Sequence, residues 1–333
     1  MSDKTFYITT PLYYANDELH IGHAFSTLAA DIMSRFQRSM GRKVHFLTGS
    51  DEHGQKVEQS AKAKGLTPIE HTDRLVARFK SLWTLLDITY DDFIRTTEER
   101  HEKVVTYVLN KLWEQGDIYA SEYSGWYCTP CERFWTEKEV PDKICPDCHR
   151  PVQEITEKNY FFKMSKYQQK LIDHIESHPD CIKPESRKNE VLGFLRKPLN
   201  DLCISRPKSR LQWGIELPFD KDYVTYVWFD ALTNYISAAG YPYDMEKFNE
   251  LWPANAHLIG KDILTTHAVY WGTMLLALGL PLPMCIYAHG WWVSGKDKMS
   301  KSKGNVINPR ELVQTYGLDP FRFYLFREMI FGQ

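Results

Sequence analysis

Two histidines flank a glycine near the amino terminus of the chain, in the sequence HIGH that begins at His20. Asn16 and Asp17, which are good N-cap residues, precede the motif, and a long helical pattern follows it. We therefore expect His20, Gly22 and His23 in the first turns of a helix, where backbone amides and the helix dipole favour anions. Imidazoles can donate hydrogen bonds to phosphate, and glycine leaves space for a nucleotide ring. Two surface histidines with a tolerated glycine would give the same pattern.

A lysine-rich segment, SGKDKMSKSKGN, occupies residues 294–305 and is bounded by Gly295 and Gly304. Its lysines are Lys296, Lys298, Lys301 and Lys303. The glycines predict a mobile loop, whose lysines can strengthen their contacts as negative charge moves towards a leaving pyrophosphate. Taken alone, such a run is typical of a solvated surface. The occurrence of both motifs in this order favours nucleotide chemistry.

Four of the seven cysteines form two C-x2-C pairs with the overall spacing C-x2-C-x13-C-x2-C. The four residues are Cys128, Cys131, Cys145 and Cys148. This spacing predicts a closed, structural zinc knuckle over residues 128–148. Two reduced cysteine pairs, another soft metal, or replacement of one thiolate by His149 are the alternatives.

Apolar or aromatic runs that read as strands occur at TFYITT, KVHFLT, YVTYVWF, HLIG and MCIYAHGWW, and helical patterns follow most of them. This alternation predicts an α/β fold with a doubly wound parallel sheet. Two runs lie before residue 50 and three lie after residue 222, so an insertion is expected to split the sheet. The predicted divisions are 1–116, the insertion 117–222, 223–292, and 293–333 with the lysine loop.

The composition is typical of globular domains, with 43% hydrophobic and 25% charged residues and a net charge of −2. A polyanionic partner would therefore need a local basic patch. Residues 268–286 carry no charge, but Gly279, Pro281 and Pro283 interrupt them, which argues against a membrane span. The amino-terminal sequence does not resemble a secretory signal, so a cytoplasmic location is expected.

The chain resembles the class I aminoacyl-tRNA synthetases. HIGH at residues 20–23 and KMSKS at residues 298–302 match the two signatures of that class. Within that class it is similar to methionyl-tRNA synthetases. The segments that carry this similarity are TTPLYYAN, GSDEHGQK, YVWFDALTNY, GKDILTTH and the cysteine pairs. The resemblance extends from residue 4 to residue 333. It implies a Rossmann-like nucleotide-binding domain interrupted by a connective insertion.

The resemblance also implies the residues that contact each substrate. The methionine-binding residues are Leu12, Tyr14, Asp51, Trp228, Ala231, Leu232, Tyr235, Ile263 and His267, with Asp51 on the ammonium group. The ATP-binding residues are His20, Gly22, His23, Gly260, Asp262, Lys298 and Lys301, and of these the resemblance implies that His20, His23, Lys298 and Lys301 are the catalytic candidates. Without the resemblance, the aromatic run around Trp228 reads as a core strand.

The implied reaction is attack of the methionine carboxylate on the α-phosphorus of ATP, with Mg²⁺ bridging the phosphates. The adenylate is then attacked by a terminal hydroxyl of tRNA(Met). A surface for the tRNA acceptor end is suggested by a basic stretch, with a solvated helix face as the alternative. Its residues are Lys183, Arg187, Lys188, Arg196, Lys197, Arg206, Lys208 and Arg210.

Family members normally continue past the lysine loop into an anticodon-binding helical domain, whereas this sequence stops at Gln333. The expectation is therefore methionine-dependent pyrophosphate exchange with weak tRNA charging. Synthetases for isoleucine, valine and leucine carry larger insertions with an editing domain, for which 117–222 leaves little room. A non-catalytic RNA-binding or regulatory zinc module is the alternative from a different functional class.

Overall fold

A computed structural model describes residues 4–131, 133–290, 293–294, 297–298 and 307–328. The strands are β1 Phe6–Thr9, β2 Tyr13–Tyr14, β3 Val44–Asp51, β4 Asp92–Arg95, β5 Ile118–Cys128, β6 Arg133–Trp135, β7 Gln153–Phe162, β8 Ile182–Lys183, β9 Leu202–Cys203, β10 Ser205–Pro207, β11 Glu216–Leu217, β12 Asp220–Thr225, β13 Ala256–Gly260, β14 Ile286–His289, β15 Val293–Ser294 and β16 Asp297–Lys298. The α-helices are α1 Ile21–Ser39, α2 Gln55–Ala63, α3 Pro68–Leu85, α4 Glu99–Glu114, α5 Gln168–Ser177, α6 Glu185–Leu195, α7 Val227–Ala239, α8 Met245–Leu251, α9 Gly272–Leu278, α10 Pro309–Tyr316 and α11 Leu318–Arg327. Short 3₁₀ turns span Met164–Tyr167 and Lys261–Ile263, and a π-helical segment spans Thr266–Trp271.

The main sheet is parallel and has the order β2-β3-β1-β13-β14-β8, with β4 also paired to β3. The chain winds outward from β1 through β3 to β4, and it later returns through β13, next to β1, to β14. The winding direction therefore reverses between β1 and β13. This confirms the predicted doubly wound α/β sheet and places its switch point, where such folds bind ligands, at the carboxyl ends of these two strands.

Both faces of this sheet are buried, as is usual for parallel sheets. Along β1, Phe6 and Ile8 belong to one apolar cluster, whereas Tyr7 belongs to another. The alternation follows from the period of two along a strand. One cluster is centred on helices α1 and α3, and the other on α4, α7 and α9. The central strands are therefore held firmly from both sides, as the site at their carboxyl ends requires.

The prediction for YVTYVWF was wrong in two respects. Its first half forms β12, which pairs antiparallel with β10 and β11 instead of joining the parallel sheet. Its second half begins α7, so Trp228 lies on a helix and not on a strand. The alternating apolar residues fit a strand, but the following ALTNYISAA continues a helical pattern that includes Val227–Phe229.

The stretch 117–222 contains a four-stranded antiparallel sheet in the order β6-β5-β7-β9. Strands β5 and β7 pair continuously from Ile118 opposite Phe162 to Tyr127 opposite Gln153. Cys128 ends β5, and the other three cysteines of the two pairs lie between these strands in the sequence. The stretch is not wholly separate from the main sheet, because β8 pairs in parallel with β14. The predicted domain boundaries themselves remain predictions.

No helix within the described part of the chain is long and apolar enough to cross a membrane. The uncharged stretch 268–286 forms part of the π-helical segment, all of α9, and the start of β14. These elements are buried against the apolar clusters.

Candidate active site

A cavity of about 520 Å³ opens at the carboxyl ends of the main strands. Around it the structure brings together every predicted methionine or ATP residue whose side chain it describes: Leu12, Tyr14, His20, Gly22, His23, Asp51, Trp228, Ala231, Leu232, Tyr235, Gly260, Asp262, Ile263 and His267. We call this space the active-site cavity. Its lining comes from β2, β3, α1, α7, the 3₁₀ turn after β13 and the π-helical segment. Residues far apart in sequence thus converge at the switch point.

Helix α1 begins one residue after His20, and the two histidines of HIGH cap it. The Nδ1 atom of His20 accepts a hydrogen bond from the Gly22 amide at 3.1 Å, and Nδ1 of His23 accepts from the His20 amide at 2.9 Å. The N-cap is therefore His20 itself, which corrects the expectation that Asn16 or Asp17 occupies that position. The imidazoles of His20 and His23 take the places of the usual Ser at the N-cap and the usual Glu three residues later in a capping box.

This capping arrangement fixes the orientation of both imidazoles. Because each Nδ1 accepts a backbone N–H, a neutral ring carries its proton on Nε2, which is then a donor. Gly22 is required by the same geometry, since a Cβ there would lie 2.9 Å from Cε1 of His20. The His20 ring thus occupies the space that a side chain at residue 22 would need. The additional role of Gly22 in accommodating adenine remains a prediction.

The opposite end of the cavity is aromatic, and its Tyr235 and His267 side chains are buried. The Tyr235 hydroxyl lies 2.7 Å from Nε2 of His267, and Nδ1 of His267 donates to the carbonyl of Ile263 at 2.9 Å. Burial lowers the pKa of His267 to about 4, so the ring is neutral and its Nε2 accepts the Tyr235 proton. The pocket wall therefore carries no charge at this end, and a π-helical turn, a feature common at functional sites, presents His267.

Asp51 ends β3 at the cavity wall, and Glu52 begins the turn that follows. Glu52 accepts two hydrogen bonds from the Arg95 guanidinium, at 2.7 and 2.8 Å, and a third from the Thr97 hydroxyl at 2.7 Å. Asp51 is only 7% exposed, yet it lines the cavity. The fully buried Glu52 thus anchors the turn, while its neighbour faces the space where a ligand would bind.

Sequence reasoning missed several lining residues, notably Ser26 and His289. The Ser26 hydroxyl lies 2.7 Å from Nε2 of His289, and Nδ1 of His289 donates to the carbonyl of Gly290 at 2.8 Å. Because Nδ1 carries the proton, Nε2 of a neutral His289 ring accepts from Ser26. His289 ends β14, and the rule that ligands bind at the carboxyl ends of parallel strands would have identified it. Ser26 gives no such signal, because it is one small residue within a long helix.

The four cysteines of the knuckle converge as their spacing predicted. Their sulfur atoms all lie within 4.8 Å of one another, with Sγ–Sγ distances of 3.4 Å between Cys128 and Cys148 and 3.7 Å between Cys131 and Cys145. Four thiolates bound tetrahedrally at about 2.3 Å would lie about 3.8 Å apart. The group therefore has the donor set and size to hold a metal ion. Cys131 also lines the active-site cavity, so the knuckle adjoins the site.

The predicted lysines are only partly within the described residues. Lys298 lies in β16, where it pairs with Val293 of β15. Lys301 lies outside the described residues. The segment that follows is anchored on the HIGH helix, because the Ile21 amide donates to the carbonyl of Ile307 at 3.2 Å. The chain after the lysine segment thus returns to the residue next to His20.

The basic stretch 183–210 does not form a uniform charged surface. Lys183 pairs with Asp180 and Arg187 with Glu190, at 3.2 and 2.7 Å. Arg206 is 3% exposed, with its guanidinium 4.6 Å from the centre of the Tyr226 ring. Arg206 therefore packs inside the protein and does not belong to the suggested acceptor-end surface.

Comparison with known families agrees with this geometry. A family model described as tRNA synthetases class I (M) matches residues 6–157 and 151–333, which is nearly the whole chain. The chain belongs to this family. The resemblance drawn from HIGH, KMSKS and the other motifs is thereby confirmed.

Relatives in the family include a methionine–tRNA ligase of Caldanaerobacter subterraneus subsp. tengcongensis, 55% identical over 330 residues. That of Clostridium perfringens is 54% identical over 334 residues. The matches cover 99% and 100% of this chain but 51% and 52% of the two relatives. The chain thus spans about half the length of the curated relatives it matches.

Among solved structures of the family, Mycobacterium tuberculosis methionyl-tRNA synthetase in complex with methionyl-adenylate matches with a TM-score of 0.94 and 42% identity. The match covers 99% of this chain and 65% of that chain. The free form of the M. tuberculosis enzyme matches with a TM-score of 0.83 and 39% identity, covering 99% of this chain and 63% of that one. Of these two, the adenylate complex is the more similar to this chain.

Proposed function

We propose that the chain activates methionine with ATP, forming methionyl-adenylate and pyrophosphate, and that the methionyl group then passes to the 3′ end of tRNA(Met). The observation that carries the proposal is the active-site cavity, in which a histidine-capped helix start adjoins an uncharged aromatic pocket. One end suits phosphates and the other suits a thioether side chain. The relationship to enzymes named methionine–tRNA ligases supports this substrate pair.

In the proposed first step, a carboxylate oxygen of methionine attacks the α-phosphorus of ATP, and the bond to the pyrophosphate oxygen breaks. No protein nucleophile takes part. Catalysis comes from orientation and from donors placed where negative charge develops. The Nε2–H groups of His20 and His23 would donate to phosphate oxygens, and Lys298 and Lys301 would bind the departing pyrophosphate. Mg²⁺ would enter with ATP and neutralise part of the phosphate charge.

Recognition of methionine would rest on charge at one end and on shape at the other. Asp51 would bind the ammonium group, which orients the carboxylate towards ATP. The thioether would lie against Tyr235, His267 and Trp228, whose wall offers no charge to attract a polar side chain. Gly260 ends β13, Asp262 lies in the 3₁₀ turn that follows, and both would contact the ribose.

We also propose that zinc occupies the cysteine knuckle, residues 128–148. Cys128, Cys131, Cys145 and Cys148 supply four sulfur ligands and leave no open position, so the zinc would cross-link the loops without entering the reaction.

The transfer of the methionyl group would follow adenylate formation in the active-site cavity. There a terminal ribose hydroxyl of tRNA would attack the adenylate carbonyl, and AMP would leave.

The test is amino-acid-dependent exchange of labelled pyrophosphate into ATP. We expect exchange with methionine and none above background with leucine or cysteine. His20→Ala and His23→Ala should each lower the exchange rate more than they weaken methionine binding, because the histidines contact ATP. An inactive wild-type chain that still binds RNA would instead support the non-catalytic zinc-module alternative.

A further inference from the structure

A buried carboxylate joins two of the elements that form the methionine end of the cavity. Asp230, on α7, is fully buried and lies between two histidines. Its Oδ2 is 2.7 Å from Nδ1 of His53, and its Oδ1 is 2.7 Å from Nε2 of His101. His53 is 4% exposed and His101 is fully buried. A carboxylate only accepts hydrogen bonds, so both ring nitrogens must be donors.

The sequence positions of these residues connect them to the site. His53 is two residues after Asp51, and Asp230 directly precedes Ala231, a lining residue of α7. His101 lies on α4 and reaches back to α7 a second time, through the Ser237 hydroxyl at 3.1 Å. The carboxylate thus ties the turn after β3 to α7 and α4.

The charges in this network reinforce one another. Burial alone would raise the pKa of Asp230, but His53 and His101 hold it below its ordinary value. Burial opposes protonation of His53, whereas the Asp230 carboxylate raises the pKa of that ring. An ionic hydrogen bond in a dry environment is strong and directional. The His53–Asp230 contact therefore fixes a distance between two elements.

The rest of the turn is fixed to other parts of the structure. Glu52 is held by Arg95 on β4, its amide donates to the Thr96 hydroxyl at 3.0 Å, and the Gly54 amide donates to the carbonyl of Trp213 at 3.1 Å. None of these contacts involves α7. The His53 side chain bonds, through Asp230, to the helix that carries Trp228, Leu232 and Tyr235.

We propose that His53 and His101 are positioning residues for amino-acid binding, which act by holding Asp230 so that α7 keeps its alignment with Asp51. The inference rests on the function proposed above, because it concerns how that site recognises the substrate ammonium group. The side-chain pocket on α7 and the ammonium anchor Asp51 at the end of β3 must be a fixed distance apart to bind one amino acid. Displacements of about 1 Å at such sites can reduce rates up to about a hundredfold.

The test compares His53→Ala with His53→Asn, whose amide nitrogen takes the place of Nδ1. In pyrophosphate exchange, His53→Ala should raise KM for methionine about tenfold and leave KM for ATP within about twofold of wild type. In His53→Asn, the KM for methionine should return most of the way to the wild-type value. His101→Ala and His101→Gln form a second pair with the same expectation, since the Gln amide replaces Nε2. Thermal unfolding of each variant shows whether it is folded.

Two competitive inhibitors distinguish a positioning role of His53 from a general distortion of the site. L-methioninol has the ammonium group and lacks the carboxylate, whereas 4-(methylthio)butanoate has the carboxylate and lacks the ammonium group. His53→Ala should weaken the binding of methioninol about tenfold and the binding of the butanoate less than twofold. Equal weakening of both inhibitors, or an unchanged methionine KM in a folded His53→Ala variant, would overturn the proposal. Lack of exchange by the wild-type chain would instead overturn the proposed function.

Discussion

The active-site cavity and the cysteine knuckle adjoin one another, but they are held together in different ways. The cavity draws its lining from residues between Pro11 and Gly290, and most of its walls belong to elements buried in the two large apolar clusters. The knuckle draws its four ligands from one local stretch, residues 128–148. Among the residues that the structure describes, the buried members of its own apolar cluster are Cys128, Trp135, Val140, Cys145 and Val152.

This difference has an energetic consequence. Each buried apolar side chain of the knuckle contributes about 2 kcal/mol, whereas ordering each backbone residue costs about 1–2 kcal/mol. Three buried side chains, Trp135, Val140 and Val152, cannot order a loop of this length by packing alone. We therefore expect the knuckle to depend on a bound ion, whereas the cavity is preformed by packing and by buried hydrogen bonds such as that between Tyr235 and His267.

Removal of the metal gives the largest expected effect and tests this contrast directly. Structural zinc contributes about 10–16 kcal/mol in small zinc domains. After chelation, or in Cys145→Ser, we expect amide hydrogen exchange over residues 126–152 to accelerate at least about a hundredfold. Amides of β1, β3 and β13 should change by less than about threefold, because their protection comes from the packed sheet.

The matched control for this experiment is Cys203→Ser, since Cys203 lies outside the knuckle. It should leave both the zinc content and the exchange pattern unchanged. Elemental analysis should find one zinc per wild-type chain. Slow exchange in the knuckle after complete removal of metal would show that packing alone holds it, and the contrast between the two regions would then be lost.

Removal of the Asp51 carboxylate has the next largest expected effect. Asp51→Asn keeps the size of the side chain and removes its charge. We expect kcat/KM for methionine in pyrophosphate exchange to fall about a hundredfold, which corresponds to about 3 kcal/mol. The exposed Asp173→Asn, on α5, serves as the control and should have no effect. A small change in Asp51→Asn would mean that the ammonium group is held elsewhere in the cavity.

The two regions also differ in how far the sequence could predict them. The cysteine cluster follows from spacing alone, because its ligands are local and the pattern encodes the geometry. The convergence of Asp51, Trp228 and His267 cannot be derived from spacing, since it depends on strand order. Here it was predicted only through resemblance to a family.

Some features escaped both kinds of reasoning. The pairing of β8 with β14 rests on two residues, Ile182 and Lys183, which are too few to produce a periodic signal. The histidine capping box was missed because Asn and Asp are the usual N-cap types, whereas an imidazole caps only when its ring can turn back onto the helix start. The partners of Asp230 were hidden because His53 and His101 lie far from it in sequence.

Acidification gives the smallest of the three expected effects and tests whether burial, without a metal, determines the chemistry of the cavity. The His267 ring has a pKa of about 4 in the folded chain, and an ordinary histidine has one near 6.5. Between these values the unfolded chain binds more protons, so the free energy of unfolding falls as the pH is lowered from 6.5 towards 4. His267→Gln does not titrate and keeps an acceptor for the Tyr235 hydroxyl. Between pH 7 and 4.5 this variant should therefore lose about 2 kcal/mol less than the wild type in urea unfolding.

The knuckle does not confound this measurement, because protonation of its thiolates weakens both proteins equally. The exposed His178→Gln is the control and should follow the wild-type curve. If His267→Gln and the wild type lose the same free energy over this range, the buried ring is not held neutral. The aromatic end of the cavity would then carry a charge below pH 6.5, and its preference for an apolar thioether side chain would need another physical cause.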